Sequence, residues 1–550
     1  MNLPAHVSVL IAGGGPVGLS AAVELGTRGV DCVVLEPRTE VSPLRPRAKT
    51  TSVRTMEHFR RWGIADRIRA AAPIPVSWSQ SVMAATSLTG PELTRFDDCL
   101  GLSTARVETF AEPGQQIPQP AVEQVLRDVA GELDDVTLAL GWSLHSLTET
   151  DDGVVVEAAD GEGTIRRITA QYVLGCDGGG STTRQCLDIS MAGPTDSQNY
   201  TTVVFRAPDL AQHVPHAPAV QYLVFNPRPA AVFGRLDLAD TWWAGMVLPS
   251  PDADPSVKLR EVIGPEAPED LKYEILCADN WRVRMRLAET LGTSRVFLAG
   301  DAGHLNPPTG GHGYNTGVGD AVNIGWKLAA TLQGWGGHRL LESYDAERRA
   351  IATDTITAAT ASLMATLGVR VPAGADLPGP DGDRARSALG EQIHLAMSPE
   401  FHSLGLVLGY EYTDSPVIVY DDESAIGHER DSTVYVPATR PGARLPHRWL
   451  ANGRSLYDSL GTGLTLITFG DHNPGAMTEA ARARGVPLTH VDLGPDGLVR
   501  GDRKSLLVRP DQHIAWRGGQ LSPQSADIVL GRVLDGNADR ALHPVIQANV

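Results

Sequence analysis

Residues 7–12, VSVLIA, run straight into Gly13-x-Gly15-x-x-Gly18. The apolar run reads as a buried strand, Gly13–Gly15 as a turn, residues 16–28 as a helix and residues 31–36 (DCVVLE) as a second strand. A strand, a glycine turn and a helix feeding a parallel strand commit the chain to an α/β fold with helices packed on a sheet. Each glycine has a separate task. Gly13 permits the tight turn, Gly15 lets the backbone approach a pyrophosphate, and Gly18 lets the helix pack on the strand. Pro16 and Val17 open the helix, whose free N–H groups and positive dipole suit phosphate. Glu36 ends the second strand, where a carboxylate takes ribose hydroxyls. The motif in this context points to a dinucleotide over an ordinary glycine-rich turn, without separating NAD from FAD.

Two further strands end in the same manner. YVLGCDGGGS carries Asp177-Gly178, and RVFLAGD ends on Gly300-Asp301. The three pieces are expected in one sheet, interrupted by insertions. The inserted parts, 76–105 and 186–285, are expected to form a second domain. Residues 200–250 alternate as strands do and carry Tyr222, Phe225, Phe233, Trp242 and Trp243. A helix is expected over 120–134, with strands near 136–140 and 153–158. Residues 371–385 read as a Pro- and Gly-rich linker. Residues 410–550 form a third region, with strands in GLTLITF and SLLVRP. A chain of 550 residues exceeds one core, and no internal repeat is seen.

Lys and Arg total 47 against 65 Asp and Glu, a formal net charge of −18. This balance argues against a general affinity for nucleic acid or anionic lipid. No basic leader precedes the first strand, and no apolar run reaches the ~20 residues of a membrane helix. Cys32, Cys99, Cys176, Cys186 and Cys277 are scattered without a CxxC pair. They read as reduced thiols of a cytoplasmic protein, with no metal site.

The most informative stretch is Gly300–Ala329, GDAGHLNPPTGGHGYNTGVGDAVNIGWKLA. With the GxGxxG turn and the Asp177-Gly178 pair, it resembles the class A flavoprotein monooxygenases of the para-hydroxybenzoate hydroxylase fold. That family shows GxGxxG, then DG, then GD followed by PPxGGxGxN and a DAxNLxWKLA helix. The resemblance covers about residues 1–365 and implies FAD as the cofactor. It implies that Asp301 binds the ribityl chain, and that the loop of Pro308, Gly310, Gly311, Gly313, Tyr314 and Asn315 lies along the isoalloxazine ring. A helix starting near Thr316 would aim its N-terminus at the flavin pyrimidine edge, where reduced flavin carries negative charge. By the same resemblance Arg47 touches the pyrophosphate and Gln119 lies near the flavin. Pro37 and Arg38 fall beside Glu36 on the adenosine side. Asp177, with Arg184, serves FAD and nicotinamide together. Arg54 reads as structural.

Within the family the chain is nearest to phenol and chlorophenol hydroxylases and actinomycete polyketide hydroxylases. These carry a C-terminal thioredoxin-like domain, here without CxxC, so packing or dimerisation is its implied role. The expected architecture is a Rossmann-type FAD domain (1–75, 106–185 and 286–370), an inserted β-sheet substrate domain (76–105 and 186–285) and a thioredoxin-like domain (386–550), in a homodimer or higher homo-oligomer. The implied chemistry draws on NADPH or NADH as a transient co-substrate and on molecular oxygen. Oxygen adds to the flavin at C4a, and its distal atom passes to a phenolic or polyketide ring. A Baeyer–Villiger or epoxidising enzyme of the same fold is the alternative, and a flavin-binding protein without turnover a further one. Tyr222, His304 and His312 are the candidate catalytic residues, with Tyr314 beside them. Each competes with a plain packing role. Phenol hydroxylase has an Asp two residues after the Arg47 equivalent, where this chain has Lys49, so that role does not carry over. Arg206 and Arg235 are unassigned on the substrate side. Of Trp242 and Trp243 at most one lines a pocket, because neighbours on a strand face opposite sides.

Overall fold

The structure is a computed structural model. It describes residues 3–536 apart from 46, 197, 226–228, 249, 251, 376, 423, 425–429, 496 and 500–503. The first sheet runs in the order Val136–Leu140, Cys32–Glu36, His6–Ala12, Ile165–Gly175, Gly153–Asp160, Trp142–Thr150, with Val296–Leu298 parallel to Ile165–Gly175. Its register positions the site. Ala12 lies beside Gly175, and Gly175 beside Leu298, all three strands being parallel. The turns after them therefore emerge side by side at the carboxyl edge of the sheet, where open α/β sheets bind ligands. The three apolar strands thus share one sheet, as their sequences lead one to expect. The first helix, Pro16–Gly26, and the helix Gln119–Gly131 lie close to their expected bounds. The strand Trp142–Thr150 was not anticipated.

The inserted segments build a second sheet, ordered Glu274–Trp281, Tyr200–Arg206, Thr241–Val247, Pro229–Arg235, Gln221–Phe225, Val82–Ala85, Glu92–Phe96. Alternation along Thr241–Val247 splits the two tryptophans. Trp242 joins Phe205, Tyr222 and Phe233 in a core capped by Leu259, Val262 and Ile263 of the helix Pro255–Ile263. Trp243 packs on the other face with Val204 and Leu236. The helix Pro380–Phe401 packs on this sheet too, through Leu389, Ile393, Met397 and Phe401. The linker gives way to helix at Pro380, and residues 386–401 sit on the inserted sheet, because their apolar stripe completes the core around Phe96. Position 376 of the expected linker lies outside the described residues.

The C-terminal region has strands Leu464–Thr468, Leu488–Asp492, Ser505–Val508 and Ile514–Gly518 and helices Gly475–Ala483 and Pro523–Asp535. The first two strands are parallel and the other pairings antiparallel, a thioredoxin-like βαβ–ββα order. Residues 537–550 of the expected third domain lie outside the described residues. A buried ionic network ties this region to the rest. Glu347 accepts from Lys327 at 2.7 Å and from Arg509 at 2.6 and 2.8 Å. Arg54 donates to the Asp511 carbonyl at 2.6 Å, the structural role its sequence context suggests. Among the described residues no helix is long and apolar enough to cross a membrane.

Candidate active site

The three turns are stitched together by their backbones. The Gly13 N–H donates to Leu35 at 2.8 Å, Cys176 to Ala12 at 2.7 Å and Ala299 to Gly175 at 2.9 Å. Gly13 has φ of +101°, and a Cβ there would overlap the Cys176 carbonyl. A Cβ on Gly18 would overlap the Gly13 carbonyl, so strand and helix meet only through glycine. Gly15 differs: a Cβ there meets nothing within 4 Å, and the same holds at Gly313. Two glycines are thus demanded by protein neighbours and two face open space. Val17 wedges against the next turn, 3.0 Å from where a Gly300 Cβ would stand.

Glu36 is buried. It accepts the Gly14 N–H at 2.8 Å on one oxygen, and the Arg38 backbone and Nε at 2.9 and 2.7 Å on the other. Arg38 also reaches Glu123 at 2.9 Å. Pro37 is exposed next to them. Asp177 caps the short helix Thr182–Cys186, accepting from Thr183 N–H at 2.8 Å. Arg184 donates to the Ala302 carbonyl at 2.9 Å, joining the second turn to the third. Asp301 lies deep in the molecule yet keeps an open surface of its own, so it faces an interior space. Burial raises its pKa, against the pull of His304 and Arg47, which brings Arg47 into the same neighbourhood. Gln119 backs this segment: its N–H donates to the Ala48 carbonyl at 2.8 Å.

The helix after the glycine loop begins at His312, not near Thr316. Gly313, Tyr314 and Asn315 therefore lie in its first turn, and the N–H groups of His312, Gly313 and Tyr314, which precede the first intrahelical bond, are its positive end. Gly310 and Gly311 both take positive φ, 72° and 65°, to turn the chain into it. Pro308 is exposed just before them. The Tyr314 and Asn315 side chains are committed to protein. The Tyr314 hydroxyl meets Thr51 Oγ1 at 2.6 Å. Asn315 accepts from Ser52 N–H at 2.9 Å and donates to Gly311 O at 2.7 Å and Thr50 O at 3.3 Å. They clamp the loop onto residues 50–52.

Two catalytic candidates have packed, hydrogen-bonded surroundings. Tyr222 faces the core under helix Pro255–Ile263, where its hydroxyl accepts the Ala219 N–H at 3.1 Å, away from the turns. His304 is buried with Nε2 2.7 Å from Asp320, which also takes Arg348 Nε at 2.7 Å and the Gly300 N–H at 3.0 Å. Burial alone would lower the His304 pKa, but Asp320 raises it. Burial would lift Asp320, but Arg348 and His304 hold it at about 2. The triad is a brace that fixes the Gly300-Asp301 turn. His312 lines an opening with Thr50, Gly101, Gly310 and Ser403. Burial pushes its pKa down to about 4, so its ring is neutral. Arg206 points to Asp240 and Glu274, and Arg235 donates to the Asp237 carbonyl at 3.0 Å.

Two residues beside the loop escaped the sequence reading as site residues. Glu400 accepts the Gly310 N–H at 3.1 Å, its other oxygen is buried with no partner among the described residues, and burial lifts its pKa to about 7. No local pattern in SPEF betrays it. Lys49 places its Nζ 3.8 Å from the centre of the Trp243 ring. Its place two residues after Arg47 was the one available signal.

Aligned carboxyl ends, a glycine turn open to solvent-sized space and an enclosed carboxylate fit a dinucleotide and define a Rossmann-type cofactor-binding enzyme. Comparison with known proteins narrows the class. Residues 6–359 match the FAD binding domain family, and residues 438–536 match the aromatic-ring hydroxylase C-terminal family. The chain is 30% identical to the FAD-dependent monooxygenase apdD of Emericella nidulans, over 96% of this chain and 90% of that one. It is 31% identical to aklavinone 12-hydroxylase RdmE of Streptomyces purpurascens, over 96% and 99%. It superposes on the rebeccamycin biosynthetic enzyme RebC with reduced flavin at a TM-score of 0.88 and 32% identity, over 98% and 100%. The chain belongs to the FAD-dependent aromatic-ring hydroxylases. It is a flavin monooxygenase that binds FAD and consumes NAD(P)H and molecular oxygen.

Proposed function

We propose that this enzyme hydroxylates an electron-rich phenolic or aromatic polyketide-type ring. The observation that carries the reading is the Lys49 bridge from the segment beside the glycine loop to the inserted sheet. Trp243 packs with Val204 and Leu236 on one face of that sheet, and Lys49, next to the Thr50 held by Asn315, ends on the Trp243 ring. A relative named for aklavinone supports the substrate class.

When bound, FAD supplies the electron transfer from nicotinamide and the activation of oxygen. The chain's own residues would do the rest. Gly13, Gly15, Pro16, Val17 and Gly18 would set the first helix N-terminus against the pyrophosphate, with Arg47 adding charge. Glu36, Pro37 and Arg38 would flank the adenosine. Asp301, held by the Gly300–Asp320 bond, would accept hydrogen bonds from ribityl hydroxyls. Pro308, Gly310, Gly311 and Gly313 would lie along the flavin, with Tyr314 and Asn315 holding that loop and Gln119 and Asp177 closing the rim. N–H groups at the start of helix His312–Leu332 would face the flavin with the helix's positive end. The apolar cluster around Trp243 would help to exclude water. Neutral His312 offers a hydrogen-bonding ring in the opening. The reading also places the enzyme in the cytoplasm, where its five free cysteines stay reduced, as a homodimer or higher homo-oligomer. Light scattering checks the oligomer.

The test is NADPH and NADH oxidation by the FAD-loaded enzyme with phenols and hydroxyquinones, with hydrogen peroxide counted. Fast oxidation with little peroxide and a hydroxylated product is the expected result. Turnover driven only by ketones or alkenes would replace the reading with Baeyer–Villiger or epoxidation chemistry.

A further inference from the structure

We infer that Lys49 is the substrate-binding cation of this enzyme, and that its substrate presents an anionic oxygen, a phenolate or polyketide enolate, on a ring laid beside the Trp243 indole. The inference rests on the aromatic-hydroxylase reading above and deepens it.

Placement comes first. The Lys49 carbonyl accepts the Ile117 N–H at 2.9 Å, and the carbonyl of the next residue, Thr50, takes Asn315 Nδ2 at 3.3 Å. The backbone is thereby pinned one residue from the glycine loop. The side chain crosses to the inserted sheet and ends on Trp243. It lies deep in the protein but keeps open surface, so it borders an interior space and is not packed shut.

Charge comes second. The buried cations of the structural network all have carboxylates: Lys327 and Arg509 have Glu347, Arg348 has Asp320, and Arg444 has Glu57. Lys49 has no carboxylate or hydrogen-bond partner among the described residues, only a ring face. An aromatic face does not replace lost hydration. Burial accordingly pulls its pKa down to about 7. Arg206 and Arg235 are spent on Asp240, Glu274 and the Asp237 carbonyl, so they do not answer the same need. A lysine this deep is expensive unless something anionic arrives beside it. The Trp243 ring it rests on, packed with Val204 and Leu236, suits a flat apolar body behind that anion. A phenol meets both demands. The cation in turn stabilises the ionised phenol, the form with the electron-rich ring that electrophilic oxygen needs.

The test uses the FAD-loaded enzyme and its Lys49→Met and Lys49→Arg variants. Isothermal titration calorimetry measures binding of 2,4-dichlorophenol, 1-naphthol and 1,8-dihydroxyanthraquinone, each against its methyl ether. Removing one member of a desolvated charge pair costs on the order of 30-fold or more in affinity. The expected result is that loss for the phenols in Lys49→Met, with the methyl ethers binding wild type and variant alike. Lys49→Arg restores most of the phenol affinity. Lys49→Met keeps its FAD and melts at or above wild type, because it removes an unpaired buried charge. Phenol binding unchanged in Lys49→Met overturns the inference and leaves the hydroxylase reading standing. Equal losses for phenols and ethers, with a lower melting point, show mere packing and also overturn it. A wild-type enzyme that binds none of the phenols overturns both.

Discussion

Glu400 makes the sharpest stability prediction. Its carboxyl sits at the end of helix Pro380–Phe401, with one oxygen on the Gly310 N–H and the other buried without a partner among the described residues. Burial lifts its pKa from 4.5 to about 7. The sign follows from linkage. Below about pH 4.5 both folded and unfolded chains carry the proton, and the group is neutral to stability. As pH rises toward 7 the unfolded chain gives up its proton first, so folding loses free energy, and the loss levels off above the folded pKa. A shift of this size corresponds to roughly 3 kcal/mol as an upper value, and about 1–3 kcal/mol once residual solvent contact is allowed for. Glu400→Gln keeps an oxygen for the Gly310 N–H and removes the titration. Thermal melts of wild type and variant are compared from pH 5 to 8.5, by circular dichroism and by flavin fluorescence. The two are expected to melt nearly together at pH 5, with Glu400→Gln pulling ahead by a few degrees by pH 8. A gap that stays constant with pH, or that favours wild type at pH 8, would refute the assignment of an uncompensated buried acid to this loop.

Three other perturbations separate cofactor contacts from scaffold. Gly15→Val places its side chain in open space, so the apo protein should melt like wild type while FAD affinity, by fluorescence titration, falls at least about tenfold; Gly18→Ala should instead lower the melting point, because its Cβ overlaps the Gly13 carbonyl. Asp320→Asn leaves Arg348 and His304 without their carboxylate and should cost about 3–5 kcal/mol in denaturant unfolding, with FAD released more easily. Glu347→Gln strands Lys327 and leaves Arg509 with Asp511 alone, and should cost a similar ~3–5 kcal/mol, read as faster limited proteolysis between the FAD-binding and C-terminal regions.

What could be read from the chain was what is local. VSVLIA, YVLGC and RVFLAGD are apolar enough to be buried strands, and each ends in a turn residue, so one sheet with adjacent turns followed. Helix start positions were less legible. Gly, Tyr and Asn at 313–315 are weak helix formers, yet the first turn tolerates them, so the helix begins at His312. Alternation showed that Trp242 and Trp243 part company, but not which one lies under helix Pro255–Ile263, since that depends on where the helix packs. The same fact moved Tyr222 away from the site. His304 looked catalytic because it stands in a glycine-rich loop, and its partner Asp320 already lay in the sequence as the first residue of DAVNIGWKLA. Glu400 is 90 positions from Gly310, and only packing of its helix on the inserted sheet joins them.

The electrostatics divide the buried ionisable groups into two kinds, and the division argues for where chemistry happens. Glu347, Asp320 and Asp511 are buried, but their pKa values fall, because arginine, lysine or histidine meets each one. Those groups are charged, satisfied and structural. Glu400, His312 and Lys49 are driven the other way, each toward its neutral form, by burial with no counter-ion to resist it. All three lie on or next to the segments that frame the glycine loop. His58 and His513 are also buried and driven toward the neutral form, but inside the ionic network, so what sets these three apart is that they gather at one loop, where burial raises Asp301 as well. Groups held near neutrality can exchange a proton or accept a charged guest at modest cost, which fully paired groups cannot. The scaffold is thus locked by ion pairs while the loop is ringed by groups whose missing partners the ligands would supply.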